Sequence, residues 1–480
     1  MKITNSKWLA LTIILAAPFL SILDAFIMNV AVPSIKRGIR ASDGEVQLMI
    51  AVYLLGYACF QITSGRIGDY LGRKRVFIAG MLFFTFTSCL CGLSVSPVEL
   101  IAARFFQGIG AAIMTPQTIA MIQVIFPEQQ ERTKALGFYG IVMGSATILG
   151  QFLGGYLSDS HFSIAGWRLI FFVNLPVGVL AVAATAIFLR ETSKKNNGHL
   201  DYRGVGMLTT ALFCLIIPLI LGREEGWPIW CFLLLILSGL VFFLFIKYQQ
   251  IKLKSGGSPL VDITLFKIKD FNMGLIIIVF YFMMHTSYLL MISIYLQTGL
   301  GISPYQNGLF FIAFGLSATF ASFLSIRAVS SYGKRVLQAG ALILLLSFVL
   351  QARYLIPGAP HLSIYLQLGC YGFGAGIILP SLLNTALRSI PLHFAGAASG
   401  VYATVQQASS ALGISIIGGV FYWVLSHSGQ QTAGYVNAFH RGLYSEIACI
   451  LFVIILLYLL PAKGNRQDNS PGQSRKSCIS

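Results

Sequence analysis

Residues 108–127 read GIGAAIMTPQTIAMIQVIFP, and residues 372–391 read GFGAGIILPSLLNTALRSIP. Each stretch is apolar and long enough to cross a membrane as a helix, which needs about 20 residues. A second, shorter match pairs KRVFIAG at 74–80 with KRVLQAG at 334–340. The chain is therefore predicted to contain two related halves of membrane-spanning helices. At a constant offset of 264, identical residues face Gly108, Gly110, Ala111, Ile113, Pro116 and Pro127.

The composition of the whole chain agrees with this prediction. Of 480 residues, 56% are hydrophobic and only 10% are charged, and the mean hydropathy is +0.77. A soluble domain carries about 25% charged residues, so a large soluble enzyme is excluded. The apolar blocks predict an all-α membrane protein with 14 spans, at 8–34, 45–64, 76–95, 98–126, 135–158, 167–189, 204–222, 227–247, 271–298, 304–328, 336–356, 362–388, 394–424 and 441–460.

The repeat also predicts how the spans are grouped. It aligns the fourth span with the twelfth, and the loop after the second with the loop after the tenth. We therefore expect a six-helix N-terminal half at 1–190, a linker with inserted spans 7 and 8 at 191–259, a pseudo-symmetric six-helix half at 260–461 and a disordered cytoplasmic tail at 462–480. Two related halves that enclose a binding site at the membrane midplane are typical of transporters.

Basic residues predict the orientation in the membrane. Of 33 Lys and Arg residues, 25 lie on the side of both termini and seven on the other side, while Arg104 lies within a span. The positive-inside rule then places both termini in the cytoplasm of a multi-pass cell (inner) membrane protein. One loop, with Lys36, Arg37 and Arg40, opposes the rule. Because the net charge of +17 is spread over loops, nucleic acid is not an expected partner.

A carboxylate interrupts the first span, where SILDAFIMNV at 21–30 contains Asp24. An Asp at a helix centre costs about 2.5–3.5 kcal/mol on insertion, so Asp24 is predicted to avoid lipid. It is either a structural residue satisfied by packing or by a hydroxyl such as Ser21, or a cavity carboxyl that exchanges a proton or binds a cationic substrate. Replacement of Asp24 by Asn is expected to leave stability unchanged. Arg104 either joins this cavity or extends towards the membrane surface.

The loop GRIGDYLGRKRV at 65–76 connects the second and third spans. Its glycines permit a tight turn, and four cations flank one carboxylate, Asp69. One interpretation is a basic loop that only sets topology. The other is an electrostatic latch in which Asp69 is held by Arg66 or Arg73 and faces a helix N-terminus. The candidate latch residues are Gly65, Arg66, Asp69, Gly72, Arg73 and Lys74.

This loop resembles the signature of the major facilitator superfamily, Gly-x-x-x-Asp-(Arg/Lys)-x-Gly-(Arg/Lys)-(Arg/Lys), with Tyr70 in place of one cation. Of four further stretches, RFFQGIGAA matches the fourth-helix signature of the superfamily, Arg-x-x-Gln-Gly, and the other three resemble its 14-helix drug:proton antiporter branch. Together the resemblance covers about residues 8–460. It implies proton-coupled export by alternating access, with Asp69 closing the cytoplasmic side. The stretches are LDAFIMNVAVPSI, RFFQGIGAA, WRLIFFVNLPVG and HFAGAASGVYATVQQASSALG.

The fifth span departs from the antiporter pattern. Antiporters of this type carry Gly-Pro-x-x-Gly-Gly, whereas this chain reads ILGQFLGGYL, with Gln151 in place of Pro. Gln151 is either a packing residue or a polar pore residue. Small residues at four-residue spacing still predict close helix packing, and the candidate packing residues are Gly140, Gly144, Gly150, Gln151, Gly154 and Gly155.

The repeat links Asp24 to a histidine. An offset of 261 sets FLSILDAFIM at 19–28 against FYFMMHTSYL at 280–289, so Asp24 falls opposite His285. Imidazole titrates near physiological pH. One hypothesis is therefore that Asp24, Arg104 and His285 form the proton-coupling site. The other is that His285 is a neutral residue hydrogen-bonded between helices.

The sequence thus predicts a proton-coupled exporter of amphipathic small molecules, that is, multidrug efflux by proton antiport. The alternatives are a dedicated metabolite or lipid exporter and a proton symporter of the same fold. No enzymatic constellation, metal-ligand cluster or nucleotide-binding loop is found, so neither catalysis nor a cofactor is expected. Expected partners are the small-molecule substrate, protons and the lipid bilayer, with a periplasmic adaptor as the alternative to a monomer. Candidate cavity residues, each equally interpretable as helix packing, are Asn29, Tyr53, Tyr57, Gln107, Asn384, Gln406 and Gln407.

Overall fold

The computed structural model describes residues 7–160, 164–191, 200–387, 390, 395–429 and 431–459. Fourteen helices in these ranges are long and apolar enough to cross a membrane, which confirms the predicted all-α fold. They are α1 (Lys7–Ile39), α2 (Asp43–Leu71), α3 (Arg73–Leu93), α4 (Pro97–Ile125), α5 (Gln129–Asp159), α6 (Gly166–Phe188), α7 (Tyr202–Glu224), α8 (Ile229–Lys254), α9 (Lys269–Gly299), α10 (Pro304–Tyr332), α11 (Lys334–Tyr354), α12 (His361–Leu387), α13 (Ala395–Ser428) and α14 (Thr432–Leu459).

Several helices extend beyond the apolar runs because polar residues cap their ends. Ser42 forms a capping box with Glu45 at the start of α2, and Ser96 and Ser303 cap α4 and α10. Such side chains satisfy backbone N–H groups that have no partner within the helix. Two helices are interrupted, α1 at Leu15 and α6 at Val173, and α9 ends in a π-helical turn. Hydropathy therefore located the helices well and their ends less well.

The repeated glycines lie at matching helix crossings. A Cβ on Gly108 would stand 2.1 Å from the carbonyl oxygen of Tyr53 on α2, and a Cβ on Gly372 would stand 2.2 Å from that of Phe314 on α10. Only glycine permits so close an approach of two backbones. The pattern holds two residues further along each helix, where Gly110 meets α3 at Phe84 and Gly374 meets α11. The same packing thus recurs at both copies of the repeat.

Residues 1–190 and residues after 260 meet mainly along three helix pairs: α5 with α10, α2 with α13, and α1 with α9, and α1 also contacts α10. Gly155 of α5 approaches the Pro304 carbonyl so closely that a Cβ would lie 2.2 Å from its oxygen. The Gln47 amide donates to the Ile414 carbonyl at 2.9 Å, and the Gln297 amide donates to the Val30 carbonyl at 2.9 Å. These contacts lie at the end of the bundle that carries the α1–α2 loop, here called the α1–α2 end. The opposite end is called the α2–α3 end.

The three main helix pairs are here called the joint, and helices α7 and α8 pack outside it. α7 contacts both α2 and α13, and α8 packs on α7. At the α1–α2 end, the Glu224 carboxylate accepts hydrogen bonds from Ser42 Oγ (2.9 Å) and Gly44 N (2.6 Å), while Arg223 donates to Gln47 at 3.2 Å. The C-terminus of α7 therefore holds the N-terminus of α2 beside α13.

At the other end of α7, one carboxylate fastens α8 and the segment that follows it. Asp201, at the N-terminus of α7, forms an ion pair with Lys252 at 2.8 Å. It also accepts hydrogen bonds from Tyr248 Oη, Gln249 Nε2 and the backbone N–H groups of Gly204 and Leu260, all at 2.9–3.0 Å. Burial alone would raise the pKa of this carboxyl, but these donors outweigh it and lower the pKa to about 2.

Candidate functional site

Asp24 of α1 has a partner that is distant in sequence. Its carboxylate forms an ion pair with Arg104 of α4, and both side chains are fully buried. The Arg104 guanidinium also lies over the Tyr53 ring, with its central carbon 4.1 Å from the ring centroid. This arrangement lets Arg104 remain charged within the bundle, because an anion and an aromatic face both stabilise a desolvated cation. Arg104 therefore does not extend towards the membrane surface.

Two amides complete the coordination of the Asp24 carboxylate. Gln107, one turn after Arg104, accepts from Arg104 Nη1 at 2.7 Å and donates to Asp24 Oδ1 at 2.8 Å. Asn174 of α6 donates to the same oxygen at 3.0 Å and to Ser88 Oγ of α3 at 3.0 Å. The donors from Arg104, Gln107 and Asn174 supply the hydrogen bonds that a buried carboxylate requires. Helices α1, α3, α4 and α6 thus meet at one carboxylate.

The network retains unused hydrogen-bonding capacity. Arg104 Nη2 and Asn174 Oδ1 are buried without a hydrogen-bond partner among the described residues, and Arg104 Nε makes only a long bond, 3.4 Å, to the Met49 carbonyl. Unsatisfied buried groups of this kind cost free energy. The guanidinium can therefore accommodate a further acceptor if the bundle rearranges.

The candidate cavity residues have different surroundings. Tyr53 and Gln107 belong to the ion-pair network, and Tyr53 Oη also donates to the Ser21 carbonyl at 3.1 Å. Tyr57 packs edge-on against Tyr53, with ring centroids 6.3 Å apart. Asn29 is buried on α1, Gln406 and Gln407 are partly buried on α13, and the side chain of Asn384 lies outside the part of the chain that is described.

His285 of α9 belongs to a separate network. Its Nδ1 lies 2.8 Å from Tyr371 Oη of α12, and its ring stacks against Tyr281 and Tyr371 at 5.7 and 5.9 Å between centroids. All of these residues follow position 260, whereas the hydrogen-bond partners of Asp24 precede position 190. A joint role of Asp24 and His285 therefore has no direct contact to support it here and stays a prediction.

The α2–α3 loop has its own ion pair. Asp69 Oδ1 accepts from Arg73 Nη2 at 2.9 Å, and Arg73 Nη1 donates to the Ala120 carbonyl of α4 at 2.5 Å. Lys74 Nζ donates to the Leu189 carbonyl at 2.7 Å, at the C-terminus of α6. Gly72 has φ of +98°, which favours glycine. In this conformation the described hydrogen bonds of Asp69 and Lys74 go to residues at or before position 191 and to none after position 260.

Arg66, Gly65 and Gly140 make fewer contacts. Arg66 Nη1 is buried without a hydrogen-bond partner among the described residues, so the Asp69 partner is Arg73 rather than Arg66. A Cβ atom on Gly65 or on Gly140 would have no neighbouring atom within 4 Å.

Gln151 lies fully buried on α5, close to α10. Neither atom of its amide has a hydrogen-bond partner among the described residues. The neighbouring glycines allow α5 to approach α1: Cβ atoms on Gly150 and Gly154 would lie 2.8 and 2.6 Å from the carbonyl oxygens of Leu23 and Ile27. Gly144 faces Thr319 of α10, with its Cβ position 3.2 Å from Oγ1. Gln151 is therefore a polar group without polar contacts at the joint.

An apolar groove of about 640 Å³ lies between α1 and α5 towards the α2–α3 end. Its wall is aromatic and aliphatic, with one cation, Lys134. Such a surface suits the apolar part of an amphipathic molecule. The groove is lined by Trp8, Leu11, Thr12, Leu15, Ala16, Phe19, Lys134, Phe138 and Val142.

Sequence reasoning overlooked three polar residues that the structure places at buried networks: Ser88, Asn174 and Glu446. Asn174 lies within WRLIFFVNLPVG, and a single amide in such an apolar run was the available signal. Glu446 of α14 is a fully buried carboxyl that contacts Ser287 of α9 at 2.8 Å. No cluster of three or more His, Cys, Asp or Glu residues suited to a metal ion occurs among the described residues.

Comparisons with known proteins agree on one family. The sequence model of the Major Facilitator Superfamily matches residues 14–414. The probable actinorhodin transporter of Streptomyces coelicolor is 32% identical over 431 residues, which cover 89% of this chain and 74% of that protein. The multidrug resistance protein Stp of Mycobacterium tuberculosis is 30% identical over 84% of this chain and 73% of its own length. The puromycin resistance protein pur8 of Streptomyces alboniger is 29% identical over 95% of this chain and 90% of its own length.

Solved structures share the fold at low sequence identity. A bacterial homologue of the human lysosomal transporter Spinster, in an inward-facing and unoccupied conformation, superposes with a TM-score of 0.66 at 16% identity, covering 95% of this chain and 97% of that one. A D-xylose–proton symporter superposes with a TM-score of 0.64 at 15% identity, covering 93% and 97%. At such low sequence identity, these similarities show that the fold is shared and show nothing further.

Proposed function

Because the chain belongs to the Major Facilitator Superfamily, we propose that it is a proton-coupled exporter of amphipathic small molecules. Relatives whose names refer to an actinorhodin transporter, multidrug resistance and puromycin resistance support export of such compounds. The observation that carries the proposal is the buried Asp24–Arg104 ion pair. Ionisable residues deep in a membrane protein are expensive and are therefore usually functional.

The proposed orientation places both termini and the α2–α3 end in the cytoplasm of the cell inner membrane. It rests on the excess of Lys and Arg at that end. The opposing loop is partly neutralised, because Lys36 pairs with Asp43 at the start of α2. With this orientation the joint at the α1–α2 end faces outward, and the conformation described here is closed to the outside.

The ion pair supports a simple coupling mechanism. With Asp24 ionised, Arg104 and Gln107 hold α4 against α1. Protonation of Asp24 removes the charge that Arg104 neutralises, so the guanidinium must find another acceptor and the helices repack. A cationic substrate competes with the proton for the same carboxylate. Proton binding and substrate binding therefore exclude each other, which is the requirement for antiport.

The energy available is sufficient for export. One elementary charge that moves through about 100 mV supplies roughly 2.3 kcal/mol. At 1.4 kcal/mol per factor of ten, this sustains a gradient of about fiftyfold for an uncharged substrate, before any pH gradient adds to it. For a monovalent cation the exchange with one proton moves no net charge, so the pH gradient alone drives export.

The moving units in this proposal are the segments 1–190 and 260–461, with 191–259 as the inserted pair. The three helix pairs of the joint, α5–α10, α2–α13 and α1–α9, are the surfaces that separate and reform. A single chain supplies the ion pair and both sides of the joint, which favours a monomer as the functional unit. Co-purification from membranes tests this against the periplasmic adaptor.

The proposal is tested with cells that differ only in this protein. Susceptibility to a panel of cationic, anionic and neutral amphipathic toxins is compared among cells with wild-type protein, Asp24→Asn, Asp159→Asn and no protein. We expect wild type and the exposed-site control Asp159→Asn to protect against the same compounds, and Asp24→Asn not to protect at equal expression. Equal susceptibility of all four strains to every compound would contradict export.

A further inference from the structure

A second buried carboxyl, Glu446, lies after position 260 and has no cationic partner in the part of the chain that the structure describes. It is fully buried on α14. One carboxyl oxygen, Oε1, lies 2.8 Å from Ser287 Oγ of α9, and Oε2 has no hydrogen-bond partner among the described residues. None of the ion pairs that the structure describes includes Glu446. Its environment is therefore the opposite of that of Asp24, which Arg104 neutralises.

The groups around Glu446 are weak acids or neutral. Tyr288 of α9, Tyr371 of α12 and Cys449 of α14 lie within electrostatic range. The Tyr288 hydroxyl donates to Gln351 of α11 at 3.0 Å, and the Tyr371 hydroxyl is paired with His285. None of these groups supplies a positive charge directly to the carboxyl.

Among the other elements at this site, α11 carries Lys334, Arg335 and Arg353, and α14 itself carries His440 and Arg441. No ion pair that the structure describes joins any of them to Glu446. α13 contains no Asp, Glu, Lys or Arg between Ala395 and Ser428. Of its titratable groups, Tyr422 lies beneath Arg223 and His427 is exposed near the helix end. The π-helical turn of α9 contributes Tyr295, whose hydroxyl donates to the Leu355 carbonyl at 2.8 Å.

Counting protons at Ser287 indicates which form of Glu446 is present. Ser287 Oγ lies 2.5 Å from the Met283 carbonyl oxygen, 3.1 Å from the Met284 carbonyl oxygen and 2.8 Å from Glu446 Oε1. A serine hydroxyl has one proton, whereas carbonyls and carboxylates only accept. If that proton bonds to Met283, the contact with Glu446 needs a proton on the carboxyl. The neutral acid satisfies both contacts, and it also avoids the cost of an isolated buried charge.

We propose that Glu446 is a second proton-binding site. It is loaded from the outside when the α1–α2 end is open, stays protonated when that end closes, and is emptied to the cytoplasm before the α1–α2 end opens again. The inference rests on the proposed proton-coupled export. The step is a simple ionisation: the carboxyl O–H bond breaks, the electron pair stays on the carboxylate and the proton passes to water. It occurs when α9 and α14 separate enough to hydrate the site. For an uncharged substrate, a second proton for each cycle would square the substrate gradient that the same membrane potential sustains. For a monovalent cation, it would let the membrane potential contribute to export.

The first test measures protonation directly and does not depend on transport. Infrared spectra of purified wild type, Glu446→Gln and Asp24→Asn are compared at neutral pH for the C=O absorption of a protonated carboxyl group. We expect the band in wild type, its loss in Glu446→Gln and its retention in Asp24→Asn. A wild-type spectrum that matches that of Glu446→Gln would overturn the proposal. Ser287→Ala provides a second variant, and its band should titrate at a different pH from that of wild type.

The second test measures coupling in proteoliposomes. Glu446→Gln should lose most of the accumulation of substrate driven by an imposed pH gradient, while exchange of labelled for unlabelled substrate continues at a rate within about twofold of wild type. Unchanged proton-driven accumulation would overturn the proposal even if the infrared band is lost, because the proton would then be structural. If wild type itself shows no proton dependence, the proposed function fails, whereas the infrared result still reports whether Glu446 holds a proton.

Discussion

Asp24 and Arg104, 80 residues apart in sequence, form an ion pair in which neither side chain has any exposed surface. A buried pair of this kind gives little net stability, because the cost of desolvating two charges offsets their attraction. It is costly to break, however, since removal of one partner leaves the other charge uncompensated. The pair therefore favours two discrete states, one with the charges matched and one with the carboxyl neutralised by a proton or satisfied by a substrate cation.

We expect single substitutions at this pair to destabilise the protein strongly. Asp24→Asn and Arg104→Gln should each lower the free energy of unfolding by about 3–5 kcal/mol, because each leaves a buried charge without its partner. The structure thus corrects the expectation that Asp24→Asn leaves stability unchanged, which took no account of Arg104. Denaturation of the detergent-solubilised protein measures the effect.

The double variant Asp24→Asn/Arg104→Gln provides the internal control. Since it removes both charges, its loss of stability should be smaller than the sum of the two single losses by about 1–3 kcal/mol. Strictly additive losses would show that the two side chains do not stabilise each other, and the ion pair would then have no role in the folded state.

The ion pair and hydrogen bonds of the Asp201 carboxylate, here called the Asp201 clamp, predict that the stability of the folded protein depends on pH. The donors of the clamp lower the folded-state pKa to about 2 from an ordinary value of 3.8, so the ionised form stabilises the folded protein above about pH 4. This contribution, about 1–2 kcal/mol after allowance for solvent at Lys252, is lost as the pH falls from about 4 towards 2. The stability difference between wild type and Asp201→Asn should therefore narrow between about pH 4 and pH 2. A difference that stays constant over this range would argue against an ionised clamp.

The Asp69 latch predicts a separation of binding from turnover. Asp69→Asn removes the charge paired with Arg73 but leaves the Arg73 bond to the Ala120 carbonyl, and the loop lies at the α2–α3 end rather than in the middle of the bundle. We expect turnover to fall about tenfold or more while substrate affinity changes less than twofold. Asp69→Glu, which keeps the charge, is the matched control. Weakened binding at an unchanged turnover number would contradict the latch.

The buried amide of Gln151 predicts that an apolar substitution at this position increases the stability of the protein. Both atoms of this amide lack partners among the described residues, and such groups cost about 1–3 kcal/mol each. Gln151→Leu should therefore stabilise this conformation by a similar amount. Gln351→Leu is the contrasting control, because the Gln351 amide bonds to Tyr288 and Ser347 and its loss should destabilise. A loss of stability in Gln151→Leu would mean that the amide has a partner, as a polar pore residue does when the pore is hydrated.

Hydropathy predicted the fold because every span has a long apolar run between charged or capping residues. The ends were less predictable, since hydropathy detects the part of a helix in lipid, whereas caps determine where the helix begins. α14 shows the consequence. The apolar pattern starts at about residue 441, which makes Glu446 look close to a helix end, but the helix begins at Thr432 and Glu446 lies near its middle.

The charged residues of the candidate site could be predicted from the sequence, but their contacts could not. Asp24 and Arg104 are conspicuous because charged side chains are rare inside apolar runs. Their pairing depends on how α1 and α4 pack, and no local pattern in the sequence records it. Asn174 and Ser88 are ordinary polar residues of membrane helices, and their role follows only from their contacts with Asp24 and with each other.

The most direct test of the account is proton-driven accumulation by purified protein in liposomes, using a compound identified in the susceptibility screen. Wild type, Asp24→Asn and Asp159→Asn are reconstituted in equal amounts, and uptake is followed after an inward-acid pH gradient is imposed. The account predicts that wild type and Asp159→Asn concentrate the compound inside the acidic lumen, whereas Asp24→Asn only equilibrates it. Accumulation by Asp24→Asn equal to that of wild type would contradict the claim that this carboxylate couples proton movement to export.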